Sequence, residues 1–351
     1  PPLLYDLTTL QREANRMFGF SAKRTLQLAQ ALYERHKVLT YPRTDSRYLP
    51  ADNLPVVKNV LRGMSGDTAL APHARKALDN GWVKPSPRVF NNAKVSDHHA
   101  IIPTGASPSH LDEFEMKLYD MVARRLVAVF FPPAKYEVTK RTTTVEGETF
   151  RTEGKVLREA GWREVYGKTA SADGEDSLVP VREGETATNL PPIELKECQT
   201  KPPPRYNEAT LLSAMEGAGK LVDDEDLREA MSERGLGTPA TRAAIIEGLL
   251  TQEYLRREGR ELAATAKGIK LITALREIQI GALASPEMTG EWEYKLKQIE
   301  AGKFGRDAFM QEIRDLVDGV IGKIKQASGH VNSETMRGNF HDLDIACPKC
   351  R

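Results

Sequence analysis

Tyr41 and Arg43 stand two residues apart in the string Leu39-Thr40-Tyr41-Pro42-Arg43-Thr44-Asp45-Ser46. A tyrosine hydroxyl can act as a covalent nucleophile. A guanidinium offers a fixed charge and a fork of donors that matches a phosphate oxygen. The phenol is weak at neutral pH, because its pKa lies near ~10. It needs cations beside the charge that develops during attack, and Arg43 is the nearest candidate. The pair suits displacement at phosphorus: Tyr41 attacks, Arg43 neutralises a non-bridging oxygen, and the leaving oxygen takes up a proton. A Tyr-x-Arg alone also fits a surface turn. Asp45 either holds Arg43 or makes the turn, and Thr44 and Ser46 can orient the loop through bonds to the backbone.

Other residues offer chemistry further along. His98 and His99 form a pair in Ser96-Asp97-His98-His99-Ala100-Ile101-Ile102-Pro103-Thr104. Such a pair can contact phosphate, bind metal or simply pack, and no cysteine or carboxylate cluster joins it to favour metal. Gly235-Leu236-Gly237-Thr238-Pro239-Ala240-Thr241-Arg242-Ala243 presents a helix start behind small residues. A helix N-terminus favours phosphate through free N–H groups and the dipole. Thr238 and Thr241 add hydroxyls there and Arg242 adds charge, although an ordinary capped helix needs no nucleic acid. Arg205, Tyr206, Arg234, Arg256 and Arg257 would extend a single-strand track, with Tyr206 as a stacking platform. Cys347-Pro348-Lys349-Cys350 is half of a four-ligand zinc site, or a tail with two free thiols.

The Tyr41 string resembles the active-site motif of type IA DNA topoisomerases, and Thr40-Tyr41-Pro42-Arg43-Thr44-Asp45-Ser46 most resembles the bacterial topoisomerase III branch. The His98 string, the segment at 202–214 (PPPRYNEATLLSA) and the Gly235 string match the family in the same order. The resemblance runs over about 1–302. It implies that Tyr41 becomes linked to the 5′ end of a cut single strand, that Arg43 contacts the scissile phosphate, and that His98 lies beside that phosphate. The residues Thr44, Asp45, Ser46, His99, Arg205, Thr238, Thr241 and Arg242 are the expected DNA-binding set. The family's Mg²⁺ ligands, including an Asp-x-Asp-x-Asp string, precede the tyrosine domain. No such string occurs here, so the expectation is a C-terminal part of the enzyme, lacking the metal-binding TOPRIM domain and inactive alone. Cys347 and Cys350 would begin a truncated zinc ribbon.

Elements must hold these groups. Leu10, Ala14, Met17 and Phe18 recur at helical spacing before Gly19, and Ser21 caps a second helix bearing Leu26, Ala29, Leu32 and Tyr33. This pair resembles a helix-turn-helix. A third helix opens at Pro50, a short one covers 73–78, and 111–131 is a long amphipathic helix with Phe114, Leu118, Met121, Val122, Leu126 and Val129 on its stripe. The period then becomes two, with a hairpin around Glu146-Gly147. A polar loop occupies 168–176 and strand character returns at 179–198. Beyond the Pro-rich 200–204, helices capped by Asn207 and Thr238 precede a hairpin at Glu258-Gly259, a winged-helix pattern. Helices follow near 286–301 and 307–325.

The fold expected is mixed α and β and multidomain, with winged-helix-like modules flanking a β-arch segment. Residues 3–133 form the helical tyrosine domain and 134–200 the arch. Residues 201–326 form half of the domain gripping single-stranded DNA, and 327–351 a linker and the ribbon start.

The 351 residues are 40% hydrophobic and 28% charged, with a net charge of +1. DNA contact must therefore be local on a balanced molecule. No apolar run reaches the ~20 residues that span a bilayer, and three cysteines supply no disulfide framework. A cytoplasmic, monomeric, ATP-independent enzyme acting on single-stranded or underwound DNA is expected, since no Walker A string occurs. The competing reading is a non-catalytic single-strand binding remnant. A tyrosine recombinase is disfavoured, because Tyr41 precedes His98 and Arg242. A winged-helix regulator would favour duplex DNA.

Overall fold

Local side chains write the helix ends of this chain, and among the described residues two antiparallel hairpins interrupt the helices. The structure, a computed structural model, describes residues 1–65, 69–167, 178, 181–186, 188, 197–221, 225–232 and 235–327. The loop expected at 168–176, most of the strand character at 179–198, Arg234, and the tail with Cys347 and Cys350 lie outside the described residues. The described part is mixed α and β. It divides into unit 1, formed by Pro1–Ala14 and Arg24–Pro204, and unit 2, formed by Asn15–Lys23 and Arg205–Arg351.

Helix α1 (Leu7–Phe18) starts on Asp6, whose Oδ1 accepts the Thr9 N–H at 2.6 Å, satisfying one of the orphan donors of a first turn. It ends at Gly19, with φ of 72°. Helix α2 (Ala22–Glu34) buries Thr25, Leu28, Ala29 and Leu32, while Leu26 and Tyr33 are only half-buried. Its end is closed by Lys37 in the left-handed region (φ 57°), with the Val38 N–H reaching the Leu32 carbonyl at 2.9 Å. That closure launches the extended segment bearing Tyr41.

Helix α3 (Leu54–Met64) buries Val57, Val60, Leu61 and Met64 and packs on α4 (Ala71–Asp79). Helix α5 (Glu113–Ala128) begins in a capping box between Asp112 and Glu115. Starting the helix there leaves Phe114 in its first turn and 42% exposed, at the uncovered end of the stripe, while Leu118, Met121, Val122 and Leu126 are buried. Strands β1 (Lys135–Val145) and β2 (Glu148–Glu159) pair antiparallel, Val145 opposite Glu148. Glu146 (φ 50°) and Gly147 (φ 84°) make the two-residue turn, both left-handed as a type I′ turn requires.

Behind this segment of unit 1, Arg125 is buried and donates to the Leu3 carbonyl (2.9 Å), the Tyr5 hydroxyl (2.8 Å), Glu13 (2.6 Å) and the Tyr166 hydroxyl (3.2 Å). Burial pushes the Tyr5 phenol well above its usual range, and Tyr166 upward as well. Burial opposes the Arg125 charge, but Tyr5, Tyr166 and Glu13 outweigh it and raise its pKa.

In unit 2, α6 (Glu208–Glu216) starts in a capping box on Asn207, and α7 (Glu225–Ser232) and α8 (Pro239–Thr251) follow. The apolar centre joins Ala22, Leu212, Met215, Ala243 and Ile246. Strands β3 (Leu255–Glu258) and β4 (Glu261–Ala264) form the second hairpin. Glu208, 5% exposed, accepts from the Ala22 N–H (2.6 Å) and from Arg257 (2.7 Å). Helix α9 (Ala266–Glu277) starts on Thr265, α10 (Glu287–Glu300) packs on α7, and α11 (Arg306–Ala327) ends the described chain. No helix among the described residues is long and apolar enough to cross a membrane.

Candidate active site

The segment after α2 runs alongside residues 98–104. Leu39 bridges Pro103, the Thr40 N–H donates to the Ile102 carbonyl (2.9 Å), and the Ile102 N–H donates to Thr40 Oγ1 (2.9 Å). Further along, the Ala100 N–H donates to the Tyr48 carbonyl at 2.9 Å. Tyr5 bridges Ile101, and the Leu7 N–H donates to the Thr44 carbonyl at 3.0 Å. Three stretches distant in sequence are thus laced together by main-chain bonds.

Within this lacing, burial alternates. Pro42, Thr44 and Ser46 are buried, whereas Tyr41 and Arg47 are half-buried and Arg43 and Asp45 exposed. Alternate residues of an extended segment share a side, so Tyr41, Arg43, Asp45 and Arg47 line one side and their neighbours face inward. The inward hydroxyls bind main chain. Thr44 Oγ1 donates to the His98 carbonyl (2.9 Å) and accepts the Ser46 N–H (3.0 Å), and Ser46 Oγ donates to the Lys94 carbonyl (2.8 Å).

The Tyr41 ring contacts two others. His98 is 4.3 Å away by ring centroid, inclined at 45°, and Tyr33 meets it edge-on at 5.5 Å. His98 is 57 positions from Tyr41 in sequence and is brought beside it by the Thr44 bond and its neighbours. Arg43 is exposed and makes no ion pair or hydrogen bond among the described residues, so its guanidinium is open to an anion. Asp45 accepts from Ser96 Oγ at 3.0 Å and makes no bond to Arg43. His99 Nδ1 is 2.8 Å from the Ala100 carbonyl; a carbonyl only accepts, so Nδ1 carries the proton.

Three groups escape the sequence reading. Tyr33 was assigned only to a helix face. Asp6 and Arg47 are 41 positions apart, yet Arg47 Nε donates to Asp6 Oδ2 at 3.1 Å. The available signal was Asp6 itself, an acidic residue just ahead of a helical pattern.

In unit 2, Arg205 is exposed and Tyr206 is 54% exposed. At the start of α8 the Thr238 N–H donates to Thr241 Oγ1 (2.9 Å), and the two hydroxyls lie 3.1 Å apart, both residues exposed. Arg242 is 2% exposed, and its Nε donates to the Leu236 carbonyl at 3.2 Å; it braces the glycine turn from beneath. Gly235 and Gly237 have φ of 64° and 68°. A Cβ on Gly235 would meet the Met215 carbonyl oxygen at 2.2 Å, so only glycine lets this turn lie on the end of α6. Among the described residues no group of three or more His, Cys, Asp and Glu could hold a metal ion. The described residues therefore do not fit Mg²⁺.

Residues 1–311 match the family described as DNA topoisomerase. The chain is 42% identical to the DNA topoisomerase 3 of Bacillus licheniformis, over 99% of this chain and 48% of that protein. It is 40% identical to the DNA topoisomerase 3 of Bacillus subtilis, with the same coverage. Among solved structures, full-length topoisomerase I from Thermotoga maritima is similar with a TM-score of 0.64 and 25% identity, covering 91% of this chain and 50% of that one. The chain spans about half the length of the curated relatives it matches.

Proposed function

Since the chain belongs to the DNA topoisomerase family, we propose that it carries the nucleophilic half of a bacterial type IA topoisomerase of the topoisomerase III branch. It cuts one DNA strand through Tyr41, holds the end covalently, lets another strand pass and reseals the break, without ATP. The observation that carries this reading is Tyr41 packed against His98 on the same exposed side as a free Arg43.

The Tyr41 oxygen attacks phosphorus. A bond from that oxygen to the 5′ phosphate forms as the bond from phosphorus to the 3′ oxygen breaks. The phenol loses a proton and the 3′ oxygen gains one, so resealing is the reverse reaction and no net energy source is required. Arg43 neutralises a non-bridging oxygen as charge accumulates. His98 contacts the phosphate or orients the strand, and its contact with the ring restricts where the phenol points. Residues 3–133 act as the tyrosine domain, 134–200 as part of an arch, and 201–326 as half of a single-strand grip, with Arg205, Tyr206, Thr238 and Thr241 toward the DNA. Mg²⁺ is supplied by a portion of the enzyme outside this chain, and Cys347 and Cys350 would supply two of the four ligands that a structural zinc needs. The enzyme works as a monomer in the bacterial cytoplasm.

The test joins this chain to the part of a DNA topoisomerase 3 relative that it does not match, with Mg²⁺ and single-stranded DNA labelled at its 3′ end. A denaturant quench is expected to trap label on this chain, and Tyr41→Phe to abolish it. Tight binding without covalent label, from an assembled pair that forms a stable complex, would instead support the non-catalytic single-strand binding reading.

A further inference from the structure

Arg47 lies on the outward side of the segment that carries Tyr41, Arg43 and Asp45. Its side chain is 35% exposed, and its Nε alone is engaged, donating to Asp6 Oδ2 at 3.1 Å. Both terminal amino groups of the guanidinium are without a protein partner among the described residues. Asp6 is 5% exposed and doubly held in place, because its other oxygen caps α1 through the Thr9 N–H. A guanidinium gripped at Nε by a fixed carboxylate keeps its two outer amino groups aimed in one direction, the geometry that takes two oxygens of one phosphate. The segment is also anchored main chain to main chain at this point, through Leu7 and Thr44.

We propose that Arg47 is a second phosphate-binding residue of the site, contacting the backbone of the single strand on the Asp45 side of Tyr41, and that Asp6 is its positioning residue. The proposal rests on the function proposed above, since it needs a nucleic-acid strand along this side. It differs from a general basic patch in one respect. A patch binds better when a nearby carboxylate is neutralised, whereas an oriented guanidinium binds worse when its holder is lost.

The experiment measures binding of the full chain to a fluorescent single-stranded oligonucleotide by anisotropy, across a salt series. Each phosphate neutralised contributes about 0.7 to the slope of log K against log salt for single strands. Arg47→Gln is expected to weaken binding about tenfold at low salt and lower the slope by about 0.7. Asp6→Asn keeps the net positive charge higher, yet is expected to weaken binding several-fold. Arg47→Lys should recover the slope but not the full affinity. Circular dichroism and melting temperature establish that each variant is folded. If Arg47→Gln does not fold, the double variant Asp6→Asn/Arg47→Gln, which leaves no buried charge unpaired, takes its place with the same expected loss of slope.

An unchanged slope in the folded Arg47 variant, or tighter binding by Asp6→Asn, would overturn the inference while Arg43→Gln still weakens binding and upholds the wider reading. Failure of the unaltered chain to bind any single strand would overturn both.

Discussion

The imidazole of His98 rests against the ring of Tyr41, with centroids 4.3 Å apart and planes inclined at 45°. The Tyr33 ring also meets it edge-on at 5.5 Å. The phenol is therefore held by ring contacts, and its hydroxyl makes no hydrogen bond among the described residues. The proposed catalytic role of the hydroxyl thus separates from the packing role of the ring.

Tyr41→Phe should for that reason leave stability within about 0.5 kcal/mol of the unaltered chain while removing all covalent DNA adduct. Urea denaturation of the chain and the denaturant-quenched labelling reaction measure the two halves of this expectation. A large loss of stability would show that the hydroxyl has a structural partner.

Thr44→Val replaces a hydroxyl in a residue that is 2% exposed and binds both the His98 carbonyl and the Ser46 N–H. Leaving those groups unpaired should cost about 1–3 kcal/mol and lower covalent adduct formation as His98 shifts. Thr44→Ser, which keeps the oxygen, should lose less stability and retain adduct. Denaturation midpoints and adduct yield for the two variants check this.

Two glycines separate conformational strain from steric collision. Gly147 has φ of 84° with nothing within 4 Å of an added Cβ, whereas at Gly235 (φ 64°) the Cβ would lie 2.2 Å from a carbonyl oxygen. Gly147→Ala should cost about 1 kcal/mol. Gly235→Ala should cost clearly more, because main chain must also move. Thermal denaturation of the pair is the measurement, and equal losses would contradict the packing described at the end of α6.

Stability of unit 1 should fall at alkaline pH. Burial raises the Tyr5 phenol well above its ordinary value of 10.0, and it raises Tyr166 in the same direction. Each favours its neutral form in the folded state. The stabilisation is complete below the unfolded pKa and is lost as pH rises through the folded one, because the unfolded chain releases its protons first. Denaturation midpoints should drop from about pH 10 upward, and Tyr5→Phe should flatten that fall. A pH dependence unchanged in the folded Tyr5→Phe variant would weigh against this buried phenol.

Much of this architecture was legible because local rules decided it. Glu146-Gly147 announced its turn, Asn207 and Thr238 marked helix starts, and the long helix ended before its two prolines. Phe114 shares the face of Leu118 but lies in the first turn of α5, set by the Asp112 and Glu115 capping box, and this end of the stripe is left exposed. Helix α9 went unseen, since Thr265 reads equally as the end of a hairpin and it is the cap.

The site divides the same way. Tyr41 and Arg43 were legible because they adjoin. The alternation around them was not, since the inward Pro42, Thr44 and Ser46 are no more apolar than the outward residues, and burial follows from bonds to residues 94–102. Arg242 reads as a charge offered to DNA, but the turn folds over it and leaves it 2% exposed. Asp6 and Arg47 meet only after α1 and the extended segment are laced together, which no local pattern encodes.

The hydroxyl bridge from Thr44 to the His98 carbonyl makes passengers of both rings. Whatever excursion this unit undergoes, Tyr41 and His98 travel on one frame and keep their mutual aim. A strand end fastened to Tyr41 would ride with the imidazole that attended its capture. Only the free 3′ terminus would then have to find its way home, and fidelity of rejoining would depend on one returning partner instead of two.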